Sequence, residues 1–265
     1  KPPVLPVPEG SGAAMDKILS ILPEKRNRAY DMNKILKTIA DGGLLFPIKP
    51  DFAKSVITTL GRIDGRVVGF VANQPAFGAG AIDTNGIDKI ISFLVLCDSF
   101  NIPLLFFEDT PGFLVGREAE RNRVGARVMN FMNALGQITV PKITVIVRKA
   151  YGMAFHTMAG PGCRTDFIVA WPTAEVSFVA PEIAANIVFA GKMAGSPELQ
   201  AQRDTYIAEM VRDSAPYSAV GAHFFHDVID PRDTRNYIIR ALDICEDRRT
   251  AGIGRHLLAN WPTKF

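Results

Sequence analysis

The 265-residue chain holds only three cysteines, four histidines and two tryptophans. Cys97, Cys163 and Cys245 stand apart, with no CxxC and no His/Cys pair at ligand spacing. That argues against a disulfide framework or a zinc site and reads as free thiols in a reducing compartment. No apolar run reaches the length of a membrane span, and the first residues lack the charged start and apolar core of a signal peptide. The net charge is a mild +3 with Lys and Arg scattered along the chain, so no nucleic-acid surface is expected. These absences point to a cytoplasmic protein (mitochondrial matrix if eukaryotic) with no metal, no membrane and no nucleic acid among its partners.

What is present is ordinary for a globular domain: 48% hydrophobic and 22% charged residues, enough for one sizeable core. The opening KPPVLPVPEG reads as an extended proline-rich connector. Residues 1–27 are therefore expected to be a linker or N-terminal extension, with a short amphipathic piece at Met15–Leu22 stopped by Pro23. A start of this kind, without Met, reads as the later part of something longer. Residues 28–265 are expected to form a single domain.

Within it, Asp31–Ala40 reads as a helix closed by Asp41-Gly42-Gly43. Ser55–Ile63 and Arg66–Ala72 are β-rich runs joined by Asp64-Gly65, a strong hairpin signal. Asn85–Phe100 has helical periodicity, Ile102–Phe107 is a buried-type strand, and Arg123–Leu135 is a helix. Ile143–Val147, Phe167–Ala170 and Glu175–Val179 read as strands. Asp230-Pro231 opens a last helix through about Glu246. Strand, strand, helix, strand, helix, strand, helix is an α/β layered order.

Two glycine-rich turns stand where a strand hands over to a helix: NQPAFGAGAID (Asn73–Asp83) and RKAYGMAFHTM (Arg148–Met158). Small residues there leave backbone N–H groups free to face a cleft and hold developing negative charge. Alone, Gly78-Ala79-Gly80 reads more simply as a tight loop. It is not GxGxxG, and no acidic residue follows at dinucleotide-binding spacing. The second turn lacks the serine of a nucleophile elbow, which leaves the amides of Met153 and Ala154 as its participants. His156 is read as a packing or hydrogen-bonding residue in a helix's first turn before it is read as a base. Glu108-Asp109-Thr110-Pro111-Gly112-Phe113 ends a strand with two carboxylates. Asp109 is expected to cap the next segment and Glu108 to meet solvent or a salt bridge. Arg117–Arg127 reads as a solvated helix face with internal ion pairs.

Five strings in order then carry a resemblance: DGRVVGFVANQP (64–75), CDSFNIPLLFFEDTPGF (97–113), VPKITVIVRKAYG (140–152), AWPTAEVSF (170–178) and HDVIDPRDTR (226–235). The chain resembles the C-terminal domain of the carboxyltransferase, or β-type, subunits of biotin-dependent acyl-CoA carboxylases of the propionyl-CoA and methylcrotonyl-CoA type. The resemblance implies a crotonase/ClpP-like spiral of ββα units. It implies a component that moves a carboxyl group from carboxybiotin, held on a carrier protein charged by a biotin carboxylase, to the α-carbon of an acyl-CoA. The same residues would serve a carboxyacyl-CoA decarboxylase, and a non-catalytic scaffold on this fold is a third reading. Only the biotin-side half is present, so an N-terminal-type partner subunit or domain is implied, in an oligomer of the hexameric type.

By resemblance, Gly152, Met153 and Ala154 supply the catalytic amides. Gly78, Ala79, Gly80, Pro111, Gly112, Phe113, Tyr151, Phe155 and His156 line the substrate and biotin pocket. Three departures stand out. Met153 replaces a second glycine, and His156 takes a position usually aspartate in propionyl-type enzymes. The segment after Phe113 begins GRE but lacks the following Gly-Gly and is shorter.

Overall fold

Helices and strands are mixed along the chain. Helix α1 (Met32–Ile39) leads into strands β1 (Leu45–Pro47), β2 (Val56–Ile63) and β3 (Arg66–Asn73). Helix α2 (Thr84–Ser99), strand β4 (Leu104–Thr110), helices α3 (Arg117–Arg121) and α4 (Val124–Gln137) and strand β5 (Lys142–Tyr151) follow. The chain continues through α5 (Gly152–Thr157), β6 (Phe167–Ala170), β7 (Glu175–Ser177) and α6 (Pro181–Val188). It closes with α7 (Pro197–Asp213), α8 (Pro216–Gly221), β8 (Asp227–Val228) and α9 (Thr234–Ile244). This computed structural model describes residues 1–190 and 197–246, so the part of the expected 28–265 domain beyond 246 lies outside the described residues.

The strands form one eight-stranded sheet in the order β1-β2-β3-β4-β5-β6-β8, with β7 also paired to β5. The β2–β3 hairpin pairs from Val56↔Asn73 to Ile63↔Arg66. Asp64 and Gly65 make its two-residue turn with φ of 53° and 75°, the left-handed pair that a right-twisted hairpin favours. The Asp41 carboxylate holds that turn, accepting from the amides of Asp64 (3.1 Å) and Gly65 (2.7 Å). Arg235 of α9 pairs with the same carboxylate.

From β3 onward the neighbours β3–β4, β4–β5, β5–β6 and β6–β8 are all parallel. Parallel strands send their C-terminal ends to one edge, where binding loops collect. The loops after β3, β4 and β5 are therefore brought together by topology.

The inner strands are buried on both faces and read as continuous apolar runs. Leu105 and Phe107 of β4 pack with Leu36 of α1 and Ile238 of α9. Leu104 and Phe106 face the other way, with Ile90 of α2 and Phe131 of α4. Truncating a phenylalanine here to alanine would cost about 3–5 kcal/mol. Residues 1–27 follow this body. Met15 and Ile18, in a short 3₁₀ turn, join the first core, and the Leu5 amide donates to the Gly65 carbonyl at 3.1 Å.

Several strand ends differ from expectation, with β7 stopping at Ser177, short of Val179. Strand β4 runs past Phe107 to Thr110, and β5 past Val147 to Tyr151. Polar residues do not stop these strands, because Asp109 of one pairs with Arg148 of the other at 3.0 Å inside the sheet.

Candidate active site

After β3 the chain makes one tight turn in which Gly78, Ala79 and Gly80 all have left-handed φ (54°, 55°, 80°). Ala79 carries a Cβ in a conformation that costs a non-glycine residue about 1 kcal/mol. Gly80 rests against β4, where a Cβ would lie 2.5 Å from the Asp109 carbonyl oxygen. The buried Asn73 side chain ties the two: Nδ2 donates to the Gly80 carbonyl and Oδ1 accepts from the Asp109 amide, each at 3.2 Å.

After β5, Gly152 is left-handed (φ 61°), and a Cβ on it would stand 3.0 Å from the Phe178 carbonyl. Helix α5 starts here, and no side chain caps it. The first-turn amides, Met153 and Ala154 among them, have no intrahelical acceptor. The Met153 side chain is half exposed while Ala154 and Phe155 are buried.

The loop after β4 is the seam between these turns. The Ile82 amide donates to the Gly112 carbonyl (3.1 Å), and the Leu114 amide donates back to Ile82 (2.9 Å). A Cβ on Gly112 would reach 3.9 Å from the Tyr151 carbonyl oxygen. Gly78–Gly80, Pro111–Phe113 and Tyr151–Ala154 thus meet at one edge of the sheet. These surroundings suit an anionic oxygen: small residues, a helix start without a side-chain cap, and tight glycine approaches.

The other expected site residues make contacts of their own. Phe155 packs in a third core cluster with Ile146 and Ile168. His156 lies in the last turn of α5, not the first, because the helix starts four residues earlier at Gly152. Its Nδ1 is 3.1 Å from the Pro161 carbonyl, and its ring lies 5.2 Å from that of Phe155. The Tyr151 hydroxyl donates to Glu175.

The carboxylates also depart from expectation. Glu108 is fully buried inside β4 and, among the described residues, neither of its oxygens has a hydrogen-bond partner. Burial, reinforced by the charge of Asp109, pushes its carboxyl well above the usual range. Among the described residues Asp109 caps no segment. It accepts from Arg148 Nε (3.0 Å) and the Lys149 amide (3.2 Å). Burial raises its pKa, and the cations Arg148 and Lys149 partly oppose that rise. Arg148 also lies over the Tyr30 ring at 5.0 Å. Arg127 pairs across to Asp88 of α2 at 3.0 Å. Cys97, Cys163 and Cys245 are all buried.

Sequence reasoning missed Asn73, Tyr30 and the group Arg26–Glu175. Nothing local in the sequence marks Asn73 or Glu175. Arg26 lies 149 positions from its partner Glu175, a pairing no local signal carries.

Strands in this order, with small-residue turns collected at their C-terminal ends, define a crotonase-like α/β domain. Solved chains share it: a transcarboxylase 12S hexamer structure with hydrolysed methylmalonyl-coenzyme A bound has a TM-score of 0.87 at 33% identity, over 96% of this chain and 49% of that one. The β subunit of P. aeruginosa geranyl-CoA carboxylase gives 0.81 at 27% identity, over 97% and 48%. The chain belongs to the carboxyl transferase domain family, which matches residues 1–255. The propionyl-CoA carboxylase carboxyltransferase subunit of Haloferax mediterranei is 40% identical over 235 residues, 88% of this chain and 46% of that protein. Methylmalonyl-CoA decarboxylase subunit alpha of Veillonella parvula is 37% identical over 88% and 45%. The biotin-dependent long chain acyl-coenzyme A carboxylase beta4 subunit of Mycobacterium tuberculosis is 36% identical over 94% and 48%. The chain spans about half the length of the curated relatives it matches. Among the described residues no helix is long and apolar enough to cross a membrane.

Proposed function

We propose that this chain forms the biotin-facing half of a carboxyltransferase site that moves a carboxyl group between biotin and the α-carbon of an acyl-CoA. The observation that carries the reading is the meeting of the Gly78–Gly80 and Gly152–Ala154 turns across Gly112, in a chain of the carboxyl transferase domain family. Carboxybiotin, delivered on a carrier protein, would supply the CO₂ unit. The Met153 and Ala154 amides would hold negative charge on an oxygen placed before them, which fixed donors do without reorganising. Ala79 and Gly80 would wall the same pocket, and Phe113 and Gly112 would close its seam.

The other half of the site would come from an N-terminal-type domain or subunit presenting the acyl-CoA. Apolar side chains stand uncovered beside the turns, Val115 at 89% and Phe178 at 91% exposure, and a partner seated there would bury them. The assembly would work in the cytoplasm as an oligomer with a biotin carrier and a biotin carboxylase.

The test is reconstitution. The complex that co-purifies with this chain, given carrier carboxylated with labelled bicarbonate and a panel of acyl-CoAs, should yield a labelled carboxyacyl-CoA. No transfer to any acyl-CoA would overturn the reading. The likeness to a decarboxylase subunit favours running the same assay in reverse, from a carboxyacyl-CoA to biotin.

A further inference from the structure

We propose that Arg26 is a positioning residue: it clamps Tyr151 against β7 and so fixes the direction in which the Met153 and Ala154 amides face. The inference rests on the reading of that turn as the oxyanion-holding element.

The start of α5 has little of its own to hold it. Its first-turn amides have no intrahelical acceptor, and no side chain caps α5. What fixes it lies behind, on the Tyr151 side. Strand β7 pairs with the end of β5 at Lys149↔Glu175 and Tyr151↔Ser177. Across that pairing the Tyr151 hydroxyl donates to a Glu175 carboxylate oxygen. Arg26 then takes Glu175 with both ends of its fork, Nε at 2.9 Å and Nη2 at 2.6 Å. The same Nη2 reaches the Tyr151 hydroxyl at 3.1 Å, and Nη1 donates to Glu182 in the first turn of α6. One guanidinium therefore joins β5, β7 and α6 around the residue immediately before Gly152. A planar fork does this where a lysine ammonium, as a point charge, would not.

The parts are preset. Tyr151 is buried, at 2% exposure. Burial alone would raise the Glu175 carboxyl, but the hydrogen bonds from Arg26 and Tyr151 hold it below its usual range, so it is ionised when the clamp is closed. The segment carrying Arg26 is anchored on both sides. Ile18 sits in the core before it, and Arg148 donates to the Arg28 carbonyl at 2.9 Å after it. The anchors limit how far Arg26 can drift, so its bonds bear on Tyr151 and not on a free tail. Local order of this kind is readable as amide protection.

Hydrogen exchange on the purified chain tests the clamp without any assay of transfer. Arg26→Met, which keeps the apolar stem, should speed exchange in the peptide covering residues 149–158 by about ten-fold, with the 56–73 hairpin unchanged. Arg26→Lys should restore part of the protection. Tyr151→Phe, which loses only the hydroxyl link, should fall between and guards against a misfolded Met variant. In the assembled enzyme Arg26→Met should lower kcat with little change in KM for acyl-CoA. Unchanged exchange at 149–158, or an equal rise at 56–73, would overturn the clamp. If the parent complex transfers no carboxyl at all, the carboxyltransferase reading fails, and the exchange result still decides whether Arg26 orders the turn.

Discussion

Gly80 lies against the backbone of Asp109, so close that a Cβ at position 80 would stand 2.5 Å from the Asp109 carbonyl oxygen. With φ at +80°, the position is closed to side chains on two independent grounds. Gly80→Ala should lose about 2–4 kcal/mol, the sum of left-handed strain and displacement of the end of β4. Ala79→Gly, next door and already left-handed, should stay within about 1 kcal/mol of the parent. Urea unfolding of the two variants measures both, and a Gly80→Ala protein as stable as the parent would refute the packing.

Asn73 bridges the same pair, donating to Gly80 and accepting from Asp109. Asn73→Ala leaves a buried carbonyl and a buried amide without this partner, which should cost about 1–3 kcal/mol. Because the side chain and the glycine hold one contact, the double variant Asn73→Ala/Gly80→Ala should fall short of the sum by about 0.5 kcal/mol or more. Strict additivity would mean that Asn73 does not couple the turn to β4.

Glu108 makes a prediction of opposite sign. Its folded-state carboxyl is pushed up by burial and by Asp109, while in the unfolded chain it titrates near about 4.3. Above that value the unfolded state holds fewer protons than the native one, so stability falls as pH rises toward the folded value. Glu108→Val, close in volume and apolar, should remove this slope and add about 1–3 kcal/mol at pH 7, since no hydrogen bond is lost. Unfolding curves at pH 5 and 7.5 check it. Equal pH slopes for parent and variant would show that Glu108 titrates normally.

Legibility in the sequence followed locality. The β2–β3 hairpin was readable because Asp64-Gly65 carries its own backbone preference, and α1 and α2 because Asp31 and Asp83 cap them through their own side chains. The glycine turns were readable as backbone features, though their meeting point is set by the parallel pairing of β3, β4 and β5. The ends of β4 and β5 were misplaced because Glu108, Asp109, Arg148 and Lys149 look like surface residues until Asp109 and Arg148 find each other across the sheet. Helices α6, α7 and α8 were not read at all. Helix α7 buries none of its side chains, so it has no apolar stripe to betray it. His156 was placed in a first turn because β5 was ended too early.

The amide role proposed for Met153 can be separated from its side chain. Proline at position 153 removes the N–H and nothing else the helix uses, because the first turn of α5 has no intrahelical acceptor for that amide. Gly152 before it has no Cβ for the proline ring to meet. Met153→Pro should therefore fold as the parent does, judged by circular dichroism and thermal melting. In the reconstituted complex it should lose about 10²–10³-fold in kcat, the usual consequence of deleting one oxyanion donor. Met153→Ala keeps the amide and should stay within about three-fold of the parent in kcat, since the side chain it shortens is half exposed. The contrast between the two substitutions is the measurement. A proline variant as active as the alanine one would show that the Met153 amide faces no developing charge, and the site would then have to rely on other donors.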